Sequence, residues 1–162
     1  MEDSNITTVV FSEKFVASDS QSTANNIRFK GTFTKIYESD DTIIGIAGVA
    51  AQCLRIVAWI QAGMVEEEAP YIPELEEPEY QIVFVNRHTK QKYTIEGRYL
   101  DVMPVEDEYL AIGSGADIAL GAMSAAKRLS GKCDTKRAIK ASLKAAIEFD
   151  ILSGGDIKVV KI

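Results

Sequence analysis

Short apolar runs separated by polar turns dominate the first third of the chain and predict a β-rich beginning. Residues 6–20 hold two runs rich in Val and Phe around a short polar turn, a pattern typical of a β-hairpin. Residues 20–26 are polar and predict a loop. Side-chain character alternates over residues 28–37, as in a half-buried strand, and residues 42–48 predict an apolar strand that ends in glycine.

Apolar residues at helical spacing occur in three later stretches of the chain. Residues 49–64 predict a helix that packs one face on the core. Residues 116–129 and 135–149 carry similar patterns, and Asp134 is the predicted N-cap of the last helix. Residues 66–79 contain three prolines and seven glutamates, so they predict a loop rather than a further helix.

Strand patterns return after that loop. Residues 80–85 and 92–95 predict a second hairpin, residues 102–105 and 109–113 predict two short strands, and residues 151–162 predict a last strand with a glycine break. The order of elements is strands, helix, strands, two helices and strand. It predicts an α+β protein whose sheets are covered by helices, either in two layers or as a four-layer sandwich, and the pattern alone leaves both open.

The composition narrows the class of protein. A chain of 162 residues fits one domain with its own core. The net charge of −6 and the absence of a dense Lys/Arg cluster predict no nucleic-acid partner. No apolar run approaches the ~20 residues of a membrane span, and residues 1–5 do not resemble a signal peptide, so a cytoplasmic protein without a membrane partner is expected. Cys53 and Cys133 are expected to be buried free thiols.

Several common types of active site are disfavoured by residue type. His88 is the only histidine and lies in a predicted turn, so histidine-dependent hydrolase sites and zinc sites are not expected. Ser114 lies between two glycines, but Ile112 replaces the glycine that a nucleophile elbow requires. No phosphate loop is present, and no cofactor is predicted. A Thr or Ser nucleophile activated by an amine remains, because the α-amino group of an N-terminal Thr titrates near ~7.7–8.0 and can act as its base.

Five short regions of the chain, taken in order, carry a resemblance to a known family. They are Thr7-Thr8-Val9-Val10 with the stretch from Ala17 to Thr23, then Lys30 to Ile36, Gly45-Ile46-Ala47-Gly48, Ala111 to Gly115, and Asp150 to Gly155. They are similar to the N-terminal hairpin, the strand with the catalytic lysine, the glycine turn, the serine loop and the D-x-x-S-G-G segment of proteasome β-subunits and HslV. The resemblance implies an N-terminal nucleophile hydrolase with a four-layer αββα sandwich, formed as one domain by residues 7–162.

The resemblance also implies roles for residues in the first half of the chain. Thr7 would be the nucleophile, with its own amine as the general base once residues 1–6 have been removed as a propeptide. Lys35 would lower the proton affinity of the Thr7 hydroxyl and amine, and Asp19 would pair with Lys35. The N–H of Gly48 would stabilise the oxyanion.

Further implied roles concern the second half of the site. Ser114, Asp150 and Ser153 would orient the Thr7 amine and an attacking water. Ile46 would line the pocket for a substrate side chain and favour an apolar one.

Two departures from the family bear on the identity of the nucleophile. Ile6 stands before Thr7, where family propeptides usually have Gly. Asp19 follows Thr7 by twelve positions, fewer than in the family by about one hairpin turn. Closing that gap by sliding the alignment would place Asp3 or Ser4 at the nucleophile position, and Ser4 is therefore the alternative. A similarly short hairpin is a feature of phage-encoded relatives, which this compact chain resembles.

The implied activity is that of a threonine-type endopeptidase. The resemblance implies a homo-oligomeric ring, a peptide or unfolded protein as substrate, and an AAA+ unfoldase as a candidate partner. Residues 66–80 replace the family's second helix, which belongs to the layer that faces the ATPase in HslV-type assemblies. Two alternatives share the fold: a catalytically inactive, ring-forming binding or assembly protein, and an amidase that acts on small amides.

Overall fold

A computed structural model describes residues 5–6, 8–24, 27–29, 33–74 and 77–162 of the chain. The described residues form three α-helices and twelve β-strands. The helices are α1 (Ala50–Gln61), α2 (Ala116–Ser130) and α3 (Lys136–Phe149). The strands are β1 (Asn5–Ile6), β2 (Val9–Phe11), β3 (Phe15–Ser18), β4 (Ser22–Ala24), β5 (Ile27–Phe29), β6 (Ile36–Glu38), β7 (Thr42–Val49), β8 (Tyr80–Asn86), β9 (Lys92–Glu96), β10 (Asp101–Val105), β11 (Leu110–Ile112) and β12 (Lys158–Lys161).

The strands form two antiparallel sheets. The larger, sheet A, has the strand order β10-β9-β8-β7-β1-β4-β5, and β6 also pairs with β7. The smaller, sheet B, has the order β11-β2-β3-β12. Strands β2 and β3 are the hairpin predicted near the start of the chain, with Val9 opposite Ser18. The last strand, β12, pairs with β3 at one edge of sheet B.

Three apolar clusters separate the layers and distinguish the four-layer arrangement from the two-layer one. Ile46 belongs to a cluster that packs α1 on one face of sheet A. Phe11 of sheet B and Ile43 of sheet A meet in a second cluster between the sheets. Val10 and Leu143 belong to a third, which packs α2 and α3 on the outer face of sheet B. Burial of these apolar faces stabilises an αββα sandwich, and the predicted fold class is confirmed.

Gly45 allows the two sheets to approach closely. A Cβ atom at this position would lie 2.4 Å from Cζ of Phe11 and 2.9 Å from Cγ1 of Val9. Both side chains are fully buried in the cluster between the sheets. The segment that resembles the family's glycine turn lies within strand β7, and its first glycine therefore serves sheet packing.

The polar stretch of residues 20–26 differs from its prediction, because it contains strand β4 instead of a loop alone. This strand is stabilised by its neighbours, since Ser22 pairs with both Ile6 and Phe29. Such pairing between distant segments leaves no period in the sequence. The single strand predicted over residues 28–37 is similarly divided, with β5 and β6 as its two described parts.

The N-cap of helix α3 also differs from its prediction by one residue. The side chain of Thr135 accepts a hydrogen bond from the Ala138 N–H at 3.0 Å, which makes Thr135 the N-cap. Asp134 instead forms an ion pair with Lys14 at 2.5 Å. Both residues are good caps by type, and the extended backbone of Thr135 decides between them.

The Pro/Glu-rich stretch between α1 and β8 forms a 3₁₀ turn at Glu66–Glu68, and its other described residues lie outside helices and strands. Gln52 of α1 anchors the end of this stretch, because its side chain donates to the carbonyl of Glu77 at 3.1 Å and accepts from the Glu79 N–H at 2.9 Å.

Across the described part of the chain, the helices fall short of the length and apolarity that a bilayer span requires.

The two cysteines are buried free thiols, as predicted. Burial raises the pKa of Cys53 to about 12, and burial together with a hydrogen bond to Glu108 raises the pKa of Cys133 to about 11.

Because the thiolate is the reactive form, we expect neither thiol to react with Ellman's reagent at pH 7 in the folded protein. Both should react in guanidinium chloride, and a thiol that reacts before unfolding would contradict this prediction.

Candidate active site

Lys35 and Asp19 form an ion pair in the interior of the protein. Lys35 lies immediately before β6, Asp19 follows β3, and both side chains are 0% exposed. The ammonium group donates a hydrogen bond to Oδ1 of Asp19. The pairing that the family resemblance implied for these two residues is therefore present.

The environment of Lys35 makes its ammonium group more acidic. Burial lowers the pKa of Lys35 below the ordinary lysine value, and the charge and hydrogen bond of Asp19 offset only part of this effect. Lys35 therefore releases a proton more readily than a solvated lysine does. A buried amine of this kind suits proton transfer at a reacting group.

The Asp19 carboxylate joins three segments that are far apart in the sequence. Besides Lys35, its Oδ1 accepts from the backbone N–H of Thr8 at 3.0 Å, and its Oδ2 accepts from the N–H of Gly154 at 2.9 Å. The start of β2 and the turn after α3 are thus held on one buried charge. Hydrogen bonds from N–H groups to a carboxylate are charge-assisted and comparatively strong.

Gln21 also holds the turn after α3 in place through hydrogen bonds. Its side-chain nitrogen donates to the carbonyl of Leu152 at 2.8 Å, and its backbone N–H donates to the carbonyl of Gly154 at 2.9 Å. A Cβ atom at Gly154 would lie 2.3 Å from Oε1 of Gln21. A single glutamine in a polar stretch has no distinguishing pattern, so the sequence does not identify Gln21 as part of the site.

Ser114, Asp150 and Ser153 form a second cluster. The hydroxyls of both serines donate to Oδ2 of Asp150, each at 2.6 Å, and the N–H of Leu152 donates to Oδ1 at 3.1 Å. Ser114 lies in the turn between β11 and α2, whereas Asp150 caps the C-terminus of α3. The structure thus brings together the three residues that the resemblance placed in one site.

The hydrogen bonds in this cluster keep Asp150 ionised. Burial works to raise the pKa of Asp150, but the hydrogen bonds from Ser114 and Ser153 outweigh it and hold the pKa below its ordinary value, with help from the charge of Lys35. A carboxylate whose pKa falls on folding stabilises the fold above its ordinary pKa. That contribution is lost as the pH drops through the lower value in the folded state.

Thr8 connects the two clusters. It is fully buried; its N–H bonds to Asp19, and its Oγ1 lies 2.7 Å from Oγ of Ser153. The N–H of Gly115 donates to the same Oγ1 at 3.1 Å. In the sequence, Thr8 is only part of the matched segment Thr7-Thr8-Val9-Val10 and has no implied role, although a second hydroxyl beside Thr7 is a visible signal.

Gly48 pairs with Ile6, two positions before Thr8, and has a conformation that requires glycine. Its φ is +99°, and a Cβ atom there would lie 2.3 Å from the carbonyl oxygen of Glu79. The next residue, Val49, donates its N–H to that same carbonyl at 2.7 Å. The backbone at residues 48–49 is therefore held closely against the carbonyl of Glu79.

Strand β1 lies inside sheet A, directly before the position of Thr7. On one side Ile6 pairs with Gly48 and Asn5 with Val49. On the other side Ile6 pairs with Ser22 of β4. The main chain of residues 5–6 is therefore held as an extended segment between two antiparallel strands.

Thr7 lies outside the described residues, as do Lys30 and Gly31 of the segment that resembles the catalytic-lysine strand. Ile46 of β7 is fully buried in the apolar cluster against α1. Its contact with a substrate stays a prediction. His88 lies in the turn between β8 and β9, largely exposed and bonded to Asp41 at 2.8 Å.

Comparisons with known proteins bear on the fold. No family model matches the chain. BPH from Thiobacillus denitrificans in complex with Epoxomicin is similar, with a TM-score of 0.72 and 21% identity over 96% of this chain and 98% of BPH. HslV from Trypanosoma brucei is similar with a TM-score of 0.70 and 22% identity, over 96% of this chain and 100% of HslV. The chain therefore has the αββα fold of BPH and HslV, the fold that the resemblance of its five regions implied.

Proposed function

We propose that the chain is a threonine-type endopeptidase whose nucleophile, Thr7, becomes active when residues 1–6 are removed. One observation carries this proposal: the chain neighbours of Thr7 are held on both sides by a built site. Ile6 pairs with Gly48. Thr8 donates its N–H to the same oxygen of Asp19 that binds Lys35.

The setting of strand β1 supports a peptide as the substrate. A peptide held between β4 and β7 is bound through its main chain on both sides, as in recognition by strand addition. Removal of residues 1–6 would free these two edges for a substrate in the same extended form. Main-chain recognition suits an enzyme that cleaves unfolded proteins at many sequences.

The proposed reaction uses the free amine of Thr7 as its base. The amine takes the proton of the Thr7 hydroxyl while Oγ1 attacks the substrate carbonyl carbon. The C–N bond then breaks, the proton passes to the leaving amine, and an ester remains on Thr7 until water hydrolyses it. Lys35, with its lowered pKa, would reduce the proton affinity of the Thr7 hydroxyl and amine.

The remaining predicted residues have supporting roles in this proposal. The N–H of Gly48 would donate to the oxyanion of the tetrahedral intermediate. Ser114, Asp150 and Ser153 would orient the amine and the water through the cluster on the Asp150 carboxylate. Ile46 would contribute an apolar wall to the pocket for the substrate side chain before the cleaved bond.

The proposed assembly is a homo-oligomeric ring, with an AAA+ unfoldase as a candidate partner. The similarity in fold to HslV supports the ring. Light scattering coupled to size-exclusion chromatography would measure the oligomer directly. The ring and the unfoldase do not enter the chemistry at Thr7, which can be tested on its own.

Intact-mass spectrometry of the purified chain tests the proposed function. We expect the wild type to lose residues 1–6 and to start at Thr7, and we expect Thr7→Ala to stay uncleaved. Thr89→Ala, in the exposed turn between β8 and β9, is the matched control and should be processed like the wild type. A peptide epoxyketone such as epoxomicin, which reacts with a Thr hydroxyl and its free amine together, should add its mass to the wild type and not to Thr7→Ala.

Other masses would identify the alternatives. Processing that continues in Thr7→Ala would exclude Thr7, and Ser4→Ala would then test the second candidate. A wild-type chain that keeps residues 1–6 and resists the epoxyketone would support the catalytically inactive assembly protein.

A further inference from the structure

The hydroxyl of Thr8 lies where the two clusters of the candidate site meet. It is fully buried, 2.7 Å from Oγ of Ser153, and it accepts the N–H of Gly115 at 3.1 Å. Thr8 is the only described residue whose own atoms bond to both Asp19 and Ser153. The family resemblance gave this residue no role.

The number of hydrogens on the hydroxyl groups shows which of Thr8 and Ser153 is the donor in the contact between them. A serine hydroxyl carries one hydrogen, and that of Ser153 is donated to Oδ2 of Asp150 at 2.6 Å. The ionised carboxylate has no hydrogen to give in return. The hydrogen between the two hydroxyls must therefore belong to Thr8.

The result is a one-way chain of donors that ends on a charge. It runs from the N–H of Gly115 to the hydroxyl of Thr8, then to the hydroxyl of Ser153, and then to Asp150. Each donor in such a chain polarises the next, so the bonds reinforce one another in a buried site. The chain also joins the turn before α2 to the turn after α3.

We propose that Thr8 is a positioning residue: its hydroxyl orients Ser153 toward Asp150 and ties the Gly113–Gly115 turn to the 150–154 turn. Its importance for catalysis rests on the proposed function, because Ser153 and Asp150 are residues of that site. The orientation of Ser153 and Asp150 by Thr8 does not rest on it. The two claims can therefore be tested separately.

The shape of the site supports this role for Thr8. A Cβ atom at Gly115 would lie 2.6 Å from Oγ1 of Thr8 and 3.0 Å from Oγ of Ser153. The backbone of Gly115 therefore lies directly against the hydrogen bond between the two hydroxyls, and a larger residue would displace one of them. Cβ of Ala146 of α3 would lie 2.9 Å from the same Cβ atom, so the position of Gly115 has no room for a side chain.

Charged groups near Asp150 also influence its pKa, so a titration must distinguish their effect from that of the donor chain. Lys35 faces Asp150 from the segment before β6 and lowers its pKa, and Lys35 is itself paired with Asp19. A change at Thr8 leaves both of these charges in place. A shift in the titration of Asp150 in a Thr8 variant would therefore report the loss of the donor chain.

Carbon-13 NMR of the Asp150 carboxyl group tests the proposal without any assay of activity. In Thr8→Val, which keeps the shape and removes the hydroxyl, the titration midpoint of Asp150 should move up toward the ordinary aspartate value. In Thr8→Ser, which keeps the hydroxyl, the midpoint should stay close to that of the wild type. Gly121→Ala, at a position on α2 with open space around it, is the control and should leave the midpoint unchanged.

A second measurement needs no variant. In the wild-type chain, the Thr8 hydroxyl proton should exchange slowly with water and show a nuclear Overhauser effect to the β-protons of Ser153. A Thr8 hydroxyl that exchanges freely would overturn the proposal. So would a Thr8→Val protein in which the Asp150 midpoint matches the wild type.

The rate of processing connects this inference to the proposed function. If the wild type is processed at Thr7, Thr8→Val should be processed up to about 100-fold more slowly and Thr8→Ser nearly normally, because small displacements of catalytic groups cost rate steeply. If the wild type is not processed, the proposed function fails while the Asp150 titration still decides the role of Thr8.

Discussion

Replacing Lys35 with Met is expected to destabilise the protein by about 3–5 kcal/mol and, under the proposed function, to prevent the removal of residues 1–6. The reason lies in Asp19, whose side chain is as fully buried as that of Lys35. Without the ammonium group, an uncompensated carboxylate stays in the interior, held by two backbone N–H groups. Urea denaturation followed by circular dichroism measures the loss of stability, and intact mass measures the processing.

A comparison with a surface pair makes this prediction specific. Lys14→Met removes the cation that pairs with Asp134, and the Lys14 side chain is 62% exposed. This variant should unfold close to the wild-type urea concentration, because exposed ion pairs contribute little. The double variant Lys35→Met with Asp19→Asn should be less destabilised than the sum of its single variants. Equal effects of Lys35→Met and Lys14→Met would contradict a buried charge pair.

Replacing Gly48 with Ala is expected to damage both the fold and the proposed chemistry. The added Cβ atom would lie 2.3 Å from the backbone oxygen of Glu79, in a residue with a φ of +99°. Strain at such a φ costs about 1–3 kcal/mol, and the contact with a carbonyl that cannot rotate away adds about 1–3 kcal/mol of overpacking. If the Gly48 N–H is the oxyanion donor, its displacement should slow processing by about 10²–10³-fold.

Gly63 offers a matched control for this variant. Its φ is +95°, almost that of Gly48, but a Cβ atom there would have no neighbour within 4 Å. Gly63→Ala should therefore lose stability through backbone strain alone and should keep the wild-type rate of processing. Thermal unfolding of the two variants distinguishes the cost of backbone strain from the cost of the steric contact with Glu79. Equal losses would show that the contact with Glu79 carries no cost.

Much of the fold was predictable from local patterns. The hairpin of β2 and β3 and the long strand β7 follow from short apolar runs, because both faces of these strands are buried. Helices α1 and α3 follow from the helical spacing of apolar residues, because each buries one face. Strand β4 was missed for the opposite reason. Its three residues, Ser22, Thr23 and Ala24, are small and show no apolar period, and they become a strand only because β1 and β5 lie on either side.

The candidate site also has a part that was predictable from the sequence and a part that was not. The resemblance of the chain to proteasome β-subunits and HslV selected Asp19, Lys35, Ser114, Asp150 and Ser153 in advance, and the structure brings them together. The role inferred for Thr8 could not be obtained from the sequence. It depends on which way a hydroxyl at the start of β2 points relative to the turns before α2 and after α3, and no local pattern encodes that direction.

The sequence by itself determined the three helices and most of the strands in their order, the αββα fold through its resemblance, and the residue types available for chemistry. These depend on the period of apolar residues and on matched segments, which are local properties of the chain. Only the tertiary structure decided that Lys35 is buried on Asp19, that β1 lies between β4 and β7, and that Thr8 bonds to Ser153. Each of these contacts joins residues that are distant in sequence, and its energy depends on desolvation and geometry that exist only after the layers have packed.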